Sequence, residues 1–155
     1  MQSIRSEAGL TYGVGSGFSL RRRPGPFVVS TFTRVPEVRR VVDLILEELV
    51  AIRTTRPVGE EELAKFVRYN VGRFGLSLET SEAVLSAIVD LDVYGLPADS
   101  LDTYRSRLRA ITVEDLARTA ERRLHPERAA IVVLGPAEDI VPQLEGLGPV
   151  EVREP

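Results

Sequence analysis

Hydrophobic residues alternate with glycine or polar residues near the start of the chain. Glycine occupies positions 13, 15 and 17. The opposite parity carries Leu10, Tyr12, Val14, Phe18 and Leu20. A period of two predicts a β-strand over residues 10–20 with one face almost free of side chains. A Pro-Gly-Pro turn within residues 21–26 and a β-branched, aromatic run at 27–33 complete a predicted hairpin.

Helical spacing replaces alternation from residue 36 onwards. The pattern predicts helices over 36–54, from 60, from 80, over 99–110 and over 113–124. In the first of them the apolar positions are Val38, Val41, Val42, Ile45, Leu46, Leu49 and Ile52. Boundary residues agree: Pro36 suits a first turn, and Gly95 suits a stop. Thr112 and Asp115 have the spacing of a capping box, with aspartate in the usual glutamate position.

Residues 129–134, AAIVVL, form a continuous apolar run that predicts an interior strand, and 137–144 predict a short helix. The order is a hairpin, a block of helices and one more strand. This order predicts an α+β fold, with an antiparallel-rich sheet and the helices packed on one of its faces. Three strands are few for so many helices. We therefore expect further strands from a preceding part of a longer chain or from a partner.

Length and composition fit one soluble domain, residues 1–155. A net charge of −3 gives no basic footprint for nucleic acid, and the lack of cysteine excludes disulfides and thiolate metal sites. No signal pattern or membrane-length apolar run is present. The sequence opens in what resembles the last turn of a helix, residues 2–7, so we expect an excised domain. Its parent could carry a signal, which leaves bacterial cytoplasm and periplasm both open.

Residues for catalysis are scarce in this sequence. A zinc hydrolase needs about three protein ligands and an open position for water, but the chain has one histidine, His125, and no H-x-x-E-H motif. His125 lies in a predicted turn. The run at 13–17, GVGSG, matches only part of a phosphate-binding loop and lacks its lysine. We therefore predict no catalytic residue, metal site or cofactor within this chain.

Arg5 and Tyr12 are the candidate binding residues. An arginine can donate two parallel hydrogen bonds to a carboxylate or to backbone carbonyls. A tyrosine hydroxyl can donate to a carbonyl oxygen that gains charge during peptide hydrolysis. Spacing alone leaves two alternatives open. Tyr12 shares its parity with core-type residues of the strand, and Arg5 could form a surface ion pair.

Residues 4–14, IRSEAGLTYGV, resemble the segment with the pattern LRE..GL.Y.V in the C-terminal half of insulinase-like (pitrilysin-type) zinc metallopeptidases. The sequence departs mildly from that pattern at Ser6, Glu7 and Ala8, where a basic residue often precedes the glycine. The resemblance continues through VGEEEL at 58–63, SLET at 77–80, YGLP at 94–97, ITVEDL at 111–116 and LHPER followed by AIVVLG at 124–135. It therefore covers nearly the whole chain, in the family's order and spacing.

In that family two similar α+β halves face each other across a chamber, and only one half binds zinc. The resemblance implies that this chain is the non-catalytic, substrate-binding half of a metalloendopeptidase, inactive alone, with Arg5 and Tyr12 contacting the peptide. It implies a zinc-bearing partner domain or subunit, and a homo-oligomer is possible. The alternative is a structural or assembly subunit of the same fold without a role in proteolysis.

Overall fold

The computed structural model describes residues 13–23 and 25–154, and its N-terminal part is an antiparallel hairpin. Strand β1 (Val14–Phe18) pairs with β2 (Phe27–Thr31) in a register that places Phe18 opposite Phe27. These two rings meet edge to face with centroids 5.0 Å apart. Within the turn, a Cβ on Gly25 would collide with the carbonyl oxygen of Ser19, so glycine is required there. The predicted hairpin is confirmed.

Six α-helices follow, with bounds within a few residues of the predicted ones. They are α1 (Val38–Arg53), α2 (Glu60–Leu76), α3 (Ser81–Tyr94), α4 (Ser100–Arg109), α5 (Val113–Arg123) and α6 (Ala137–Ile140). A 3₁₀ turn, Val35–Glu37, precedes α1, and another, Val141–Leu144, follows α6. The predicted boundary signals are present. Gly95 ends α3 in the left-handed region at φ 63°, and Thr112 and Asp115 form a capping box at the start of α5.

Helix α1 lies at the centre of the packing. It contacts α5 and the 3₁₀ turns Val35–Glu37, Pro126–Arg128 and Val141–Leu144. Its buried valines contribute much of the core. The buried apolar side chains are Val38, Val41, Val42, Leu63, Ala120, Leu124 and Ile140. Arg39 ties the C-terminal segment to α1, because its guanidinium binds Asp43 and donates to the carbonyl oxygens of Gln143 and Glu145 at 3.2 and 2.7 Å. The α+β class is confirmed.

The predicted interior strand at 129–134 is wrong. Among the described residues the sheet has two strands, β1 and β2, and residues 129–134 belong to no ladder. Val132 and Leu134 are 93% and 97% exposed, whereas Ile131 is 39% exposed and Val133 is half-buried. The physical reason is the missing neighbour: a cleft of about 530 Å³ separates this segment from β2. A strand cannot form without a backbone to pair with.

Candidate functional site

Arg5 and Tyr12 lie outside the described residues, so their role as substrate contacts stays a prediction. The structure describes the chain from Gly13, immediately after Tyr12. The hydroxyl of Thr31 donates to the carbonyl oxygen of Gly13 at 3.0 Å. This hydrogen bond fixes the backbone next to Tyr12 against the end of β2, opposite Val14.

Strand β1 presents the glycine-bare surface that the sequence predicts. Val14 is half-buried, and the residues from Gly15 to Phe18 are exposed. A Cβ built on Gly17 meets nothing within 4 Å, and one on Gly15 meets only the Ser30 hydroxyl oxygen, at 3.7 Å. No packing constraint within the described part of the chain therefore demands glycine at these two positions. Glycine in a strand otherwise marks the close approach of another backbone or of a ligand.

The run at 13–17 is not a phosphate-binding loop. Val14–Phe18 is a β-strand, and the next residues lead into a hairpin turn instead of a helix N-terminus. In that turn the Arg21 guanidinium approaches the Ser19 hydroxyl at 3.4 Å, and Arg21 to Arg23 are exposed. The arginines of the turn thus form a solvated loop.

His125 is a turn residue, as the sequence predicts. It precedes the 3₁₀ turn Pro126–Arg128 and has both ring nitrogens engaged. Nδ1 lies 3.2 Å from the Glu127 carboxylate, and Nε2 lies 3.2 Å from the carbonyl oxygen of Arg122. The backbone N–H of Glu127, together with hydrogen bonding from His125 and the charge of Arg53, lowers the pKa of the Glu127 carboxyl. A surface carboxylate held ionised in this way suits an ion pair with Arg53, at 3.1 Å.

Residues 13–23 and 25–154 contain no group of three or more histidine, cysteine, aspartate or glutamate side chains that could hold a metal ion. Over the same residues, no helix is both long and apolar enough to cross a lipid bilayer.

Sequence reasoning missed one feature, the cleft between β2 and residues 129–134. Its floor is α1, and its lining is apolar except for serine and threonine. The pattern carried a signal for it, since two strand-like runs and one amphipathic helix favour a larger sheet than the two strands among the described residues. What the pattern could not reveal is that the gap lies between these two runs and not at an outer edge.

Residues 1–69 match the family described as the peptidase M16 inactive domain. The chain is also similar to the crystal structure of a peptidase M16 inactive domain from Pseudomonas fluorescens, with 24% sequence identity and a TM-score of 0.73. That likeness covers 81% of this chain but only 30% of the other, and at this identity it shows the fold. No curated protein matches the chain.

The family match includes the segment with Arg5 and Tyr12, the hairpin and α1. The structural likeness extends over most of the remaining chain. The family match over residues 1–69 confirms the resemblance to the C-terminal, inactive half of insulinase-like (M16) peptidases. The structural likeness shows that the fold is that of such a domain.

Proposed function

We propose that this chain is the substrate-binding, non-catalytic half of an insulinase-like zinc metallopeptidase and that it holds a peptide for a zinc-bearing partner domain or subunit. The observation that carries the proposal is the family match over residues 1–69. That range contains Arg5, Tyr12 and the exposed, glycine-rich strand β1.

Strand β1 offers backbone groups to a peptide. It pairs with β2 along one edge, and no described strand lies along the other. An extended peptide can add to such an edge through main-chain hydrogen bonds, which give affinity without demanding one side-chain sequence. Gly15 and Gly17 leave one face of β1 without side chains, so the side chains of an added peptide meet no neighbour on that face of the strand. The proposed mode of peptide binding is therefore strand addition at the free edge of β1 among the described residues.

Arg5 and Tyr12 would orient the bound peptide. The guanidinium of Arg5 would bind a peptide carboxylate or a pair of backbone carbonyls. The hydroxyl of Tyr12 would donate to the scissile carbonyl oxygen as that oxygen becomes negatively charged. A zinc ion held by the partner would supply an activated water and would polarise the same carbonyl. This division of roles requires both halves for turnover.

A reconstitution experiment tests the proposal. The tagged chain is used to capture its partner from the native organism, and the complex is assayed with a quenched fluorescent peptide. We expect cleavage by the complex, loss of cleavage on zinc chelation, and none by the chain alone. Arg5→Ala and Tyr12→Phe should each lower kcat/KM by about a hundredfold, the scale of losing one oxyanion donor.

Two matched variants control for the loss of charge and of hydroxyl. Arg22→Ala removes an exposed arginine from the hairpin turn, and Tyr94→Phe removes a hydroxyl at the end of α3. Both should leave kcat/KM unchanged. Unchanged kinetics in Arg5→Ala and Tyr12→Phe as well would overturn the site assignment. A stable complex without peptidase activity would favour the alternative, an assembly subunit of the same fold.

A further inference from the structure

One face of the hairpin carries Gly15 and Gly17 on β1 and, directly opposite them, Ser30 and Val28 on β2. We propose that this glycine face selects peptides with large apolar side chains, aromatic ones above all, at two alternate positions of an extended segment. In such a peptide one side chain lies across each glycine. The inference deepens the proposed function and rests on it, because it assigns a class of substrate to the peptide that adds to β1.

The glycine face is open, whereas the opposite face of β2 is partly covered. Val28 is 46% exposed and Ser30 is exposed, but Val29 and Thr31, which have the other parity, are half-buried. The alternation continues past the end of β2, where Phe32 is 84% exposed. Apolar surface therefore remains in contact with water on the parity of β2 that shares a face with the two glycines.

The two glycines leave a lane between this surface and any peptide along β1. Neighbouring strands lie about 4.8 Å apart, so an added peptide would run about 10 Å from β2 with β1 between them. Because a Cβ on Gly17 meets nothing within 4 Å, a phenylalanine side chain of the peptide has room to reach across this glycine to the methyl groups of Val28. The methyl group of an alanine is too short to do so. An aromatic ring that covers a strand glycine in this way offsets the packing that the glycine lacks.

The backbone of β1 determines which peptide residues face the glycines. The N–H of Ser19 donates to the carbonyl oxygen of Pro26 at 2.9 Å, in the register of β1 and β2. Hydrogen-bonded and non-hydrogen-bonded pairs alternate in an antiparallel ladder, so Gly15 and Gly17 direct their N–H groups to β2 and Ser16 directs its own to the other edge. For an antiparallel peptide, the residues opposite the glycines then belong to non-hydrogen-bonded pairs. The Cα atoms of such pairs approach to about 4.5 Å, which favours side-chain contact.

The chemistry around the lane selects apolar side chains. Val28 lies opposite Gly17, and the hydroxyl of Ser30 is the polar group of the β2 side chain opposite Gly15. Covering exposed apolar surface with a ring removes that surface from water, and the gain is roughly proportional to the area covered. The simpler explanation of the two glycines is the close approach of any backbone, whatever its side chains. That explanation predicts equal binding of aromatic and alanine peptides, so the two are separable.

Peptide binding to the isolated chain tests the preference. The probes are three acetylated, amidated peptides, KTFTFTK, KTATATK and KTFFTTK, and the amide NMR signals of residues 14–18 report their dissociation constants. We expect KTFTFTK to bind about tenfold more tightly than KTATATK, because two rings cover the lane. KTFFTTK has the composition of KTFTFTK, but its adjacent phenylalanines point to opposite faces of an extended chain. It should therefore bind within about threefold of KTATATK.

Two variants add the same side chain to opposite faces of β1. Gly17→Val fills the lane, and the open space around Gly17 together with the strand preference of valine keeps the hairpin folded. Ser16→Val adds its methyl groups to the other face. Gly17→Val should reduce the preference for KTFTFTK over KTATATK to about threefold or less, whereas Ser16→Val should keep it near tenfold. Equal affinities of KTFTFTK and KTFFTTK would overturn the inference, and so would a preference that survives Gly17→Val.

The captured complex separates this inference from the proposed function. The three sequences are placed in otherwise identical quenched fluorescent substrates, and kcat and KM are measured for each. We expect kcat/KM to be about tenfold higher with KTFTFTK than with KTATATK, mainly through a lower KM, since the contacts hold the substrate before cleavage. Cleavage of all three at equal kcat/KM would overturn the inference and leave the proposed function standing. A preference in the isolated chain with no peptidase activity in the complex would overturn the proposed function and leave the glycine face as a peptide-binding site.

Discussion

Helices α1 and α3 have similar apolar content but different surroundings. In α1, three valines are buried, and the helix packs against α5 and the 3₁₀ turns. In α3, no residue is buried, although valine, leucine and isoleucine occur throughout the helix. An apolar helix shows that something covers it in the working assembly, but not which polypeptide does. The neighbours of α1 are largely in this chain, whereas the described residues bury no side chain of α3 fully.

The largest expected contrast comes from placing the same charge in each helix. Val41 is 2% exposed and Val89 is 49% exposed. Val41→Asp would bury an unpaired carboxylate and should lower the free energy of unfolding by about 3 kcal/mol or more. Val89→Asp leaves its carboxylate in water and should cost about 0.5 kcal/mol. Urea denaturation followed by circular dichroism measures both, and equal losses would show that α3 is covered in the isolated chain.

A smaller contrast separates two neighbouring arginines of α1. Arg39 binds Asp43 at 2.9 Å and donates to two carbonyl oxygens of the C-terminal segment, whereas Arg40 approaches Glu37 only at 3.9 Å. Arg39→Ala should lower the free energy of unfolding by about 1–2 kcal/mol, since several charge-assisted hydrogen bonds are lost. Arg40→Ala should cost about 0.5 kcal/mol or less. If proteolysis near residue 145 is faster in Arg39→Ala but not in Arg40→Ala, the lost stability comes from release of the C-terminal segment. Equal stability and equal proteolysis of the two variants would contradict this role of Arg39.

The helix caps provide a third comparison between a packed helix and an unpacked one. Thr112 accepts a hydrogen bond from the N–H of Asp115 at the start of α5, and Thr80 accepts one from the N–H of Ala83 at the start of α3. Thr112→Ala should lower the global free energy of unfolding by about 1 kcal/mol. Thr80→Ala should accelerate amide exchange within α3 while changing the global midpoint little. An equal shift of both midpoints would mean that α3 unfolds together with the core.

Much of the fold could be predicted from the sequence, because helix periods, Gly95 and the Thr112 cap are local features. The hairpin is also predicted by local features, namely the alternating pattern of residues 10–20 and the Pro-Gly-Pro turn. The prediction of a strand at 129–134 is wrong, since an apolar run of strand length does not reveal whether another backbone lies beside it to pair with. The glycine-bare strand of the candidate site is confirmed, whereas Arg5 and Tyr12 stay predictions. No pattern in one chain can state how a residue contacts a partner.

The smallest expected effect concerns the pH dependence of the α5 cap. The backbone N–H of Thr112 donates to the Asp115 carboxylate at 3.0 Å, and this hydrogen bond, together with the charge of Arg118, lowers the pKa of that carboxyl. Because the folded-state pKa lies below the unfolded one, the stabilisation is complete above the unfolded pKa, near 4, and is lost as the pH falls through the folded value. Asp115→Asn should therefore reduce the loss of stability between about pH 5 and pH 3, measured by urea denaturation at each pH. Asp90→Asn in α3 is the matched control and should leave the global curve unchanged. The same flattening in Asp90→Asn would mean that α3 is coupled to the core.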